Sequence, residues 1–598
     1  MEYPVETRRH SAAHVMAAAI KRLFPQAKFG VGPAIENGFY YDIDIGRSLE
    51  PKDLEAITLE MRKIINKENP TFDRQEMGID EAIALFSAAG QSYKAELLND
   101  LKTRGTTKMS AEDMHDVNAA DVSTVSLYST GDFTDLCRGP HVEKAREIGA
   151  WKLTKFSAVY WRGKEENPSM QRIYGLCFAT QEELDAFQKM QEEAEKRDHR
   201  KLGAELDLFT FSPLVGSGLP MFTTKGVILR EQVTNFVWEL MKPYGYQRVW
   251  IPHITKSDLY KTSGHWDKFE DDLFHVSSKK SDEQFVLKPM NCPHHTQIFA
   301  SKPRSYRDLP IRMSEVTTCY RDENTGQLQG LTRVRSLTQD DAHVFCQQDQ
   351  IRDEAMAMYE IAQKFYAGFG MSFHKIRLSV RDPQKPEKYL GEDSVWTMAE
   401  QTLSDMMKSI GKEIEVGVGE AAFYGPKLDF MTKDAIGREW QLATIQLDFV
   451  QPERFGLEYA AADGTKQRPV MIHRAILGSV ERFLGVLIEH YAGAFPVWLA
   501  PVQITVLPVA DRHADFAYAL AKELEAVGMR VEVDGAAESV GKKIRNAEKS
   551  KVPVMLVVGD KEVEGGELTV RIRGEADQRT MTKDSFFEFV KERIQTKG

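Results

Sequence analysis

The chain has 598 residues, 42% hydrophobic and 28% charged, with a formal net charge of −11. That is the make-up of an ordinary soluble protein, long enough for about four domains. No run of about 18 apolar residues occurs, and the opening MEYPVETRRHSAAHVM lacks the basic-then-apolar order of a signal peptide, so a soluble, cytoplasmic chain is expected. The acidic balance argues against nonspecific coating of nucleic acid but permits specific binding through a local basic patch. Five cysteines (Cys137, Cys177, Cys292, Cys319 and Cys346) are few and odd in number. That fits a reducing compartment with thiols free for metal binding or chemistry.

Near the N-terminus, RRHSAAHVMAAAIKRLF reads as a helix with His10 and His14 at i, i+4, so both rings leave one face. Further on, FTDLCRGPH adds Cys137 and His141. Taken alone, HxxxH with CxxxH reads first as a zinc set, although no Glu stands where a metalloprotease base would. After Phe178, Thr180-Gln181-Glu182-Glu183 forms a capping box that opens a helix through about Arg200, with Leu184, Phe187, Met190 and Ala194 along one side. Its charge density fits a solvated connecting helix.

The middle region carries antiparallel signals, such as EIEVGVGEAAFYG, KLDFMTK and EWQLATIQLDF. Its most informative stretch is 311–345. A charged step (Tyr320-Arg321-Asp322-Glu323) leads into a polar turn. Arg333 and Arg335 then alternate on an expected return strand that ends in Gln339, Asp340, Asp341 and His343. Arginines and carboxylates along one face suit a polyanion held beside a small polar substrate. Beyond Phe495-Pro496, short apolar strands alternate with amphipathic helices, which predicts an α/β domain with a largely parallel sheet. Lys542, Lys543, Arg545, Lys549 and Lys551 cluster there, either as a phosphate-contacting face or as a solvated helix face.

Cys292 in LKPMNCPHH, His343 in QDDAH and His473 in VMIHRAILGSVERF are residue types preferred by zinc, and three protein ligands leave a fourth position open. Their spacing is too wide for a local zinc motif, so on spacing alone a buried thiol and two structural histidines are the stronger reading.

The surrounding residues carry a resemblance. YRDE with its loop and return strand is similar to motif 2 of class II aminoacyl-tRNA synthetases, ILGSVERF to motif 3, and YGYQRVWIPHI to the dimer-forming motif 1. KPMNCP, RMSE, LTQDDAHVFC, FYGPKLDF, TIQLDF and VMIHRAILGS each resemble, in kind and order, the threonyl-tRNA synthetase family, over the chain from about His10 onward. The resemblance implies a multidomain α+β and α/β architecture. Residues 1–179 would form an α+β editing domain and 180–202 a linker helix. Residues 203–497 would form a catalytic core on an antiparallel sheet, and 498–598 an α/β anticodon-binding domain.

It further implies ATP-dependent activation of L-threonine and its transfer to tRNA(Thr) by a homodimer, with Mg2+ accompanying ATP and one Zn2+ per subunit on Cys292, His343 and His473. Asp341, Tyr424, Gln446 and Met290 would hold threonine. Arg321, Glu323, Arg333, Gln441, Thr444 and Arg482 would hold ATP, and Arg321, Arg482 and Gln339 would lie at the reacting groups. A site built to engage a hydroxyl rejects valine by orders of magnitude, whereas serine lacks only a methyl, worth about 1–3 kcal/mol. A second, hydrolytic site for seryl-tRNA is therefore expected. The resemblance puts it at His10, His14, Lys94, Asp135, Cys137 and His141, which would position substrate and water without metal; bound zinc is the second reading. Glu562 and Arg571 match anticodon-reading positions.

Some positions depart from the family pattern. Only nine residues precede His10, where many relatives carry a small β-grasp domain, so either that module is absent in this lineage or the N-terminus is trimmed. The stretch between His14 and Lys94 looks short. His294 stands where Gly is usual, as an extra potential ligand near Cys292. Leu337 replaces an aromatic ring expected against adenine, and Ala536 and Ala537 replace polar residues. The rival reading is a regulatory RNA-binding protein or stand-alone proofreading hydrolase on a degenerate scaffold, which predicts loss of the motif arginines or of a zinc ligand. All are present.

Overall fold

Alanine is the strongest helix former, and AAHVMAAAI sits in a helix, α1 (Val5–Leu23), whose residues from Ser11 to Ile20 are all buried. In the computed structural model, which describes residues 3–104, 123–164, 166–280 and 282–597, the chain forms two compact units, Met1–Glu192 and Glu193–Gly598. In the first unit α1 packs against an antiparallel sheet in which β1 (Gly38–Asp44) pairs with a later strand, Ser169–Phe178, itself paired with Ala150–Tyr160. The helix α2 (Ser92–Arg104) and a three-stranded sheet of Phe72–Gly78, β2 (Thr124–Thr130) and β3 (Phe133–Leu136) complete this unit.

The connecting helix α3 (Gln181–Arg197) opens as its sequence predicts. Glu183 N–H donates to Thr180 Oγ1 at 3.2 Å, and Thr180 N–H donates to Glu183 Oε2 at 3.4 Å. Leu184 is its one buried residue, which fits a solvated face. The helix stops at Arg197, short of the predicted Arg200. Asp198 there accepts from Arg200 N–H at 2.8 Å and caps a new helix, α4 (His199–Glu205).

The second unit is built on an eight-stranded sheet. Its central strands are β4 (Ile311–Tyr320), β5 (Ser336–Cys346), β6 (Lys427–Lys433), β7 (Glu439–Asp448) and β8 (Val470–Ser479), in the spatial order β4-β5-β8-β7-β6. Side chains alternate between the faces of a strand. In β8, Ile472 and Ile476 enter the large core with Phe236, Phe365, Phe369, Phe483 and Trp498. His473 and Ala475 therefore point to the opposite face. Each fully buried Phe contributes about 1.5–3 kcal/mol relative to an exposed one, so the core face fixes which residues the other face displays. The helix α5 (Val480–His490) continues from β8, with Ser479 Oγ capping Arg482 N–H at 3.1 Å.

Two expectations change. Arg333 and Arg335 do not lie on the return strand, which begins at Ser336. Arg335 N–H donates to Gly218 O at 2.8 Å while its C=O accepts Arg321 N–H at 2.9 Å, and Gln329 pairs with Arg333 across a tight loop, so one bond continues the β4–β5 register past Ser336 and Arg333 turns into the loop. The C-terminal sheet is mixed rather than largely parallel. Ile504–Pro508 pairs in parallel with Val531–Val533 and with Val554–Val558, but the latter pairs antiparallel with Leu568–Ile572, which pairs antiparallel with Arg579–Met581. Glu575 and its neighbours between the last two strands form a hairpin connection instead of a helical crossover, and a hairpin imposes antiparallel pairing.

Candidate active sites

The strand register assembles the first site. Across three adjacent strands His343 of β5 faces His473 of β8, which faces Gln446 of β7, so the three share one row on the non-core face. Along β5, Gln339, Asp341 and His343 alternate onto that same face. Cys292 comes from the start of a helix, Cys292–Ala300, and its Sγ lies with the two imidazoles so that one ligand atom of each is within 4.8 Å of the others. His343 Nε2 is 3.1 Å from His473 Nδ1.

The outer nitrogens of both rings are held. His473 Nε2 lies 2.8 Å from Asp448 Oδ2, and His343 Nδ1 lies 2.8 Å from His295 Nδ1. Asp448, His295 and Asn291 were not singled out from sequence. Asn291, adjacent to Cys292, donates from Nδ2 to Asp341 Oδ2 at 2.7 Å and accepts the Cys319 thiol at 3.3 Å. Tyr424 donates its hydroxyl to Gln446 Oε1 at 2.7 Å and stacks on His473, with ring centroids 4.9 Å apart. Tyr260 donates to Met290 O at 2.8 Å, which fixes the backbone before Asn291. His294 is not part of the ligand group; its ring turns toward Tyr260, at a centroid distance of 6.3 Å, and burial first, then Lys288 and His295, push it down to about 4. The extra ligand expected there is therefore absent from the cluster, because residue 294 lies two positions along a helix from residue 292 and so on a different side.

A cavity of about 520 Å³ adjoins this row and is lined by Arg321, Glu323, Arg333, Gln339, Gln441, Thr444 and Arg482, with Leu337 and Trp440. All residues expected at the nucleotide thus meet in one hollow. Gln441 Nε2 and Thr444 Oγ1 both donate to Asp429 Oδ1, at 2.6 and 3.1 Å; Asp429 is a buried anchor missed in the sequence. Arg333 pairs with Glu323, Nε to Oε2 at 2.8 Å. Arg482 lies with its guanidinium 6.0 Å from the Trp440 ring, and its Nε has no hydrogen-bond partner among the described residues. Desolvation lowers its pKa, and an anion in the cavity would reverse that penalty.

The first unit contains a second cluster beside a cavity of about 600 Å³ that His10, His14, Lys94, Asp135 and Cys137 line. Cys137 Sγ is 3.2 Å from both His10 Nε2 and His141 Nε2. Lys94 Nζ contacts Asp135 Oδ1 at 2.5 Å and Tyr41 Oη at 3.0 Å, and Tyr41 also donates to Asp135 through a short hydrogen bond. Tyr41 was missed because nothing in its strand, GFYYDID, links it to Lys94 and Asp135, which come from distant segments. Burial pushes His141 down to about 2 and the Cys137 thiol up to about 12, and lowers His10 and His14. The histidines are therefore neutral and the thiol protonated near pH 7.

In the C-terminal domain, the basic cluster is smaller than its sequence suggests. Lys543 is buried and donates to Pro508 O at 3.0 Å, and Lys542 pairs with Glu538 at 2.6 Å, leaving Arg545 and Lys549 exposed. Glu562 is buried too, its oxygens accepting from Gly559 N–H at 2.8 Å and Thr569 Oγ1 at 2.7 Å, whereas Arg571 is half-buried.

This sheet, with a nucleotide-sized hollow on one face and a helix carrying Arg482 behind it, defines a class II aminoacyl-tRNA synthetase. The family described as tRNA synthetase class II core domain (G, H, P, S and T) matches residues 274–491. The anticodon binding domain family matches 503–593, and the threonyl and alanyl tRNA synthetase second additional domain matches 125–174. A relative from Chlorobium chlorochromatii named threonine–tRNA ligase is 47% identical over 98% of this chain and 87% of its own length. Another of that name from Gloeobacter violaceus is 47% identical over 98% of this chain and 92% of its own. The solved RNA binding domain of threonyl-tRNA synthetase from Cryptosporidium parvum superposes with a TM-score of 0.63 at 36% identity, covering 66% of this chain and 98% of that one. The chain belongs to the threonine–tRNA ligase family.

Proposed function

We propose that this threonine–tRNA ligase divides its work between the two clusters. Residues 203–497 activate threonine with ATP and pass it to tRNA(Thr), and residues 1–179 hydrolyse seryl-tRNA(Thr). The segment 180–202, made of α3 and the start of α4, links them, and 498–598 reads the anticodon, with Arg571 and Glu562 as candidates. The observation that carries this reading is the His343–His473–Gln446 row directly beside the hollow that gathers Arg321, Glu323, Arg333 and Arg482.

The donor set fits zinc. A tetrahedral zinc with bonds of 2.0–2.3 Å separates its ligand atoms by roughly 3.5 Å, and the group of Cys292, His343 and His473 is buried with its donor atoms within 4.8 Å. The outer nitrogen of His473 has a carboxylate partner, Asp448, of the kind that orients zinc-bound imidazoles, and that of His343 is held by the His295 ring. When bound there, zinc would supply an electrophilic position for an amine and a hydroxyl, which valine cannot fill.

Asp341, oriented by Asn291, accepts from the threonine hydroxyl, while Tyr424 and Gln446 direct the amino group. Arg321 neutralises the threonine carboxylate and the α-phosphate as that carboxylate oxygen attacks phosphorus and pyrophosphate leaves, with Mg2+ on the phosphates. Glu323 and Arg333, paired with each other at 2.8 Å, part to take the adenine amino group and a terminal phosphate respectively. No side-chain nucleophile is used, so orientation and preorganised charge supply the acceleration.

In the editing cluster a protonated Cys137 and neutral His10, His14 and His141 hold a water and the ester, and Lys94 with Asp135 and Tyr41 holds the seryl group. Trp250 and Ile254, exposed apolar residues with relative exposures of 76% and 44% in the segment that resembles the dimer-forming motif 1, support a homodimer. No helix among the described residues is long and apolar enough to cross a membrane, and a cytoplasmic enzyme is the reading we adopt.

Pyrophosphate exchange driven by threonine, serine and valine tests the assignment. Threonine and serine should support exchange and valine should be at least about a hundredfold poorer. Exchange with valine as fast as with threonine, or none with threonine, overturns it.

A further inference from the structure

His199 is buried at the start of α4 and both of its ring nitrogens are engaged. Nε2 accepts the backbone N–H of Leu331 at 2.9 Å, so the ring proton sits on Nδ1, which faces Glu489 Oε1 at 2.6 Å. The His199 backbone N–H donates to the same oxygen at 3.1 Å. Glu489 in turn pairs with Arg438, just before β7, and it lies on α5 two turns beyond Arg482. Asp198, His199 and Glu489 are close enough to suggest a metal group, but the ring has no nitrogen left to offer one.

The bond to Leu331 falls at the turn of the loop between β4 and β5. Gln329 N–H donates to Arg333 O at 3.1 Å and Arg333 N–H returns to Gln329 O at 3.3 Å, closing the loop on itself. Leu331 points inward and is fully buried, while Gln329, Thr332 and Arg333 line the nucleotide cavity. Gly330 has φ +50, and a Cβ there would lie 2.2 Å from His199 Nε2. The loop therefore comes so near the ring that only glycine fits, and the ring supplies the acceptor that the buried Leu331 N–H requires.

We propose that His199 is a positioning residue for ATP, setting the loop 329–333 by the Leu331 hydrogen bond so that Thr332 and Arg333 face the nucleotide. This rests on the reading of the hollow as the ATP site. His199 touches no substrate; it acts through the loop, and Glu489 fixes the tautomer that lets it do so.

The test is steady-state pyrophosphate exchange by the full-length protein, with ATP and threonine varied separately. His199→Ala should raise KM for ATP about tenfold, equivalent to about 1.4 kcal/mol, with KM for threonine changed less than about twofold. His199→Gln, long enough to present an oxygen to Leu331 N–H, should recover most of the ATP affinity. His199→Asn, which can still donate to Glu489 but is too short to reach the loop, should resemble the alanine variant. Should the alanine variant not fold, the Gln and Asn pair alone decides. The proposal is overturned if Gln is no better than Asn, or if the KM values for ATP and threonine rise together. An unaltered KM for ATP in the alanine variant overturns it as well. A wild-type protein without threonine-driven exchange would instead count against the assigned function, which separates the two failures.

Discussion

His473 Nε2 and Asp448 Oδ2 are 2.8 Å apart in the buried Cys292–His343–His473 cluster, and this contact sets which nitrogen of His473 is free. With Nε2 committed to the carboxylate, Nδ1 faces His343 and the Cys292 side of the pocket. Asp448 itself is held by Val450 N–H at 2.8 Å and Gln451 N–H at 2.9 Å, so the whole arrangement is preorganised by backbone.

Asp448→Asn should therefore weaken metal retention without unfolding the core. Loss of such an outer partner typically costs 10–100-fold in affinity. Zinc per chain after dialysis against graded chelator is the measurement, and retention equal to wild type would show that Asp448 does not orient a ligand.

Asn291→Ala removes the donor that fixes Asp341 Oδ2 at 2.7 Å. About a tenfold fall in kcat/KM for threonine is expected, the size of one lost hydrogen bond to a charged group, while KM for ATP stays within about twofold. An equal rise in both KM values would point to a general collapse of the pocket.

The editing cluster makes stability depend on pH in a defined direction. Unfolded histidine titrates near 6.5, whereas burial lowers His10 and His14 and takes His141 to about 2 in the folded chain. Their contribution to stability is complete above about pH 6.5 and is lost as pH falls below it, because only the unfolded chain then takes up protons. The first unfolding transition of the full-length protein should move to lower temperature between pH 7.5 and pH 5.5. His141→Asn should show a smaller shift over that interval. An identical shift in both proteins would rule out this group as its source.

With its thiol pushed up to about 12 by burial, Cys137 should react with iodoacetamide at pH 7.5 far more slowly than a free cysteine, since the thiolate is the nucleophile. Mass spectrometry of the modified peptide reads this directly. Cys137→Ala should also slow clearance of seryl-tRNA(Thr); clearance at the normal rate would remove Cys137 from the editing role.

Gly425 follows Tyr424 at a position where a Cβ would lie 1.7 Å from Leu447 O. Gly425→Ala must displace that backbone, and with it Tyr424 and Gln446, so KM for threonine should rise at least about tenfold, equivalent to about 1.4 kcal/mol. A KM within twofold of wild type would mean the strand yields without moving the pocket.

Much of this protein was legible in its residues. The i, i+4 spacing of His10 and His14, the capping box at Thr180 and the alternation of Gln339, Asp341 and His343 are local regularities, set by helix and strand periods that the sequence carries by itself. The motif blocks added the family and the candidate zinc, nucleotide and editing residues. Local periodicity could not supply partners drawn from distant segments. Asp448, His295, Asn291, Asp429 and Tyr41 became visible only when strand register and helix packing brought them to the site. The same limit explains the misread positions. Lys543 has the composition of a surface helix yet is buried on Pro508 O, His294 turns away from the cysteine two residues before it, and Arg333 leaves the strand for a loop. Sequence alone determined which side chains share a face. The tertiary structure decided which faces meet, because burial and hydrogen-bond satisfaction are settled between segments far apart in the chain.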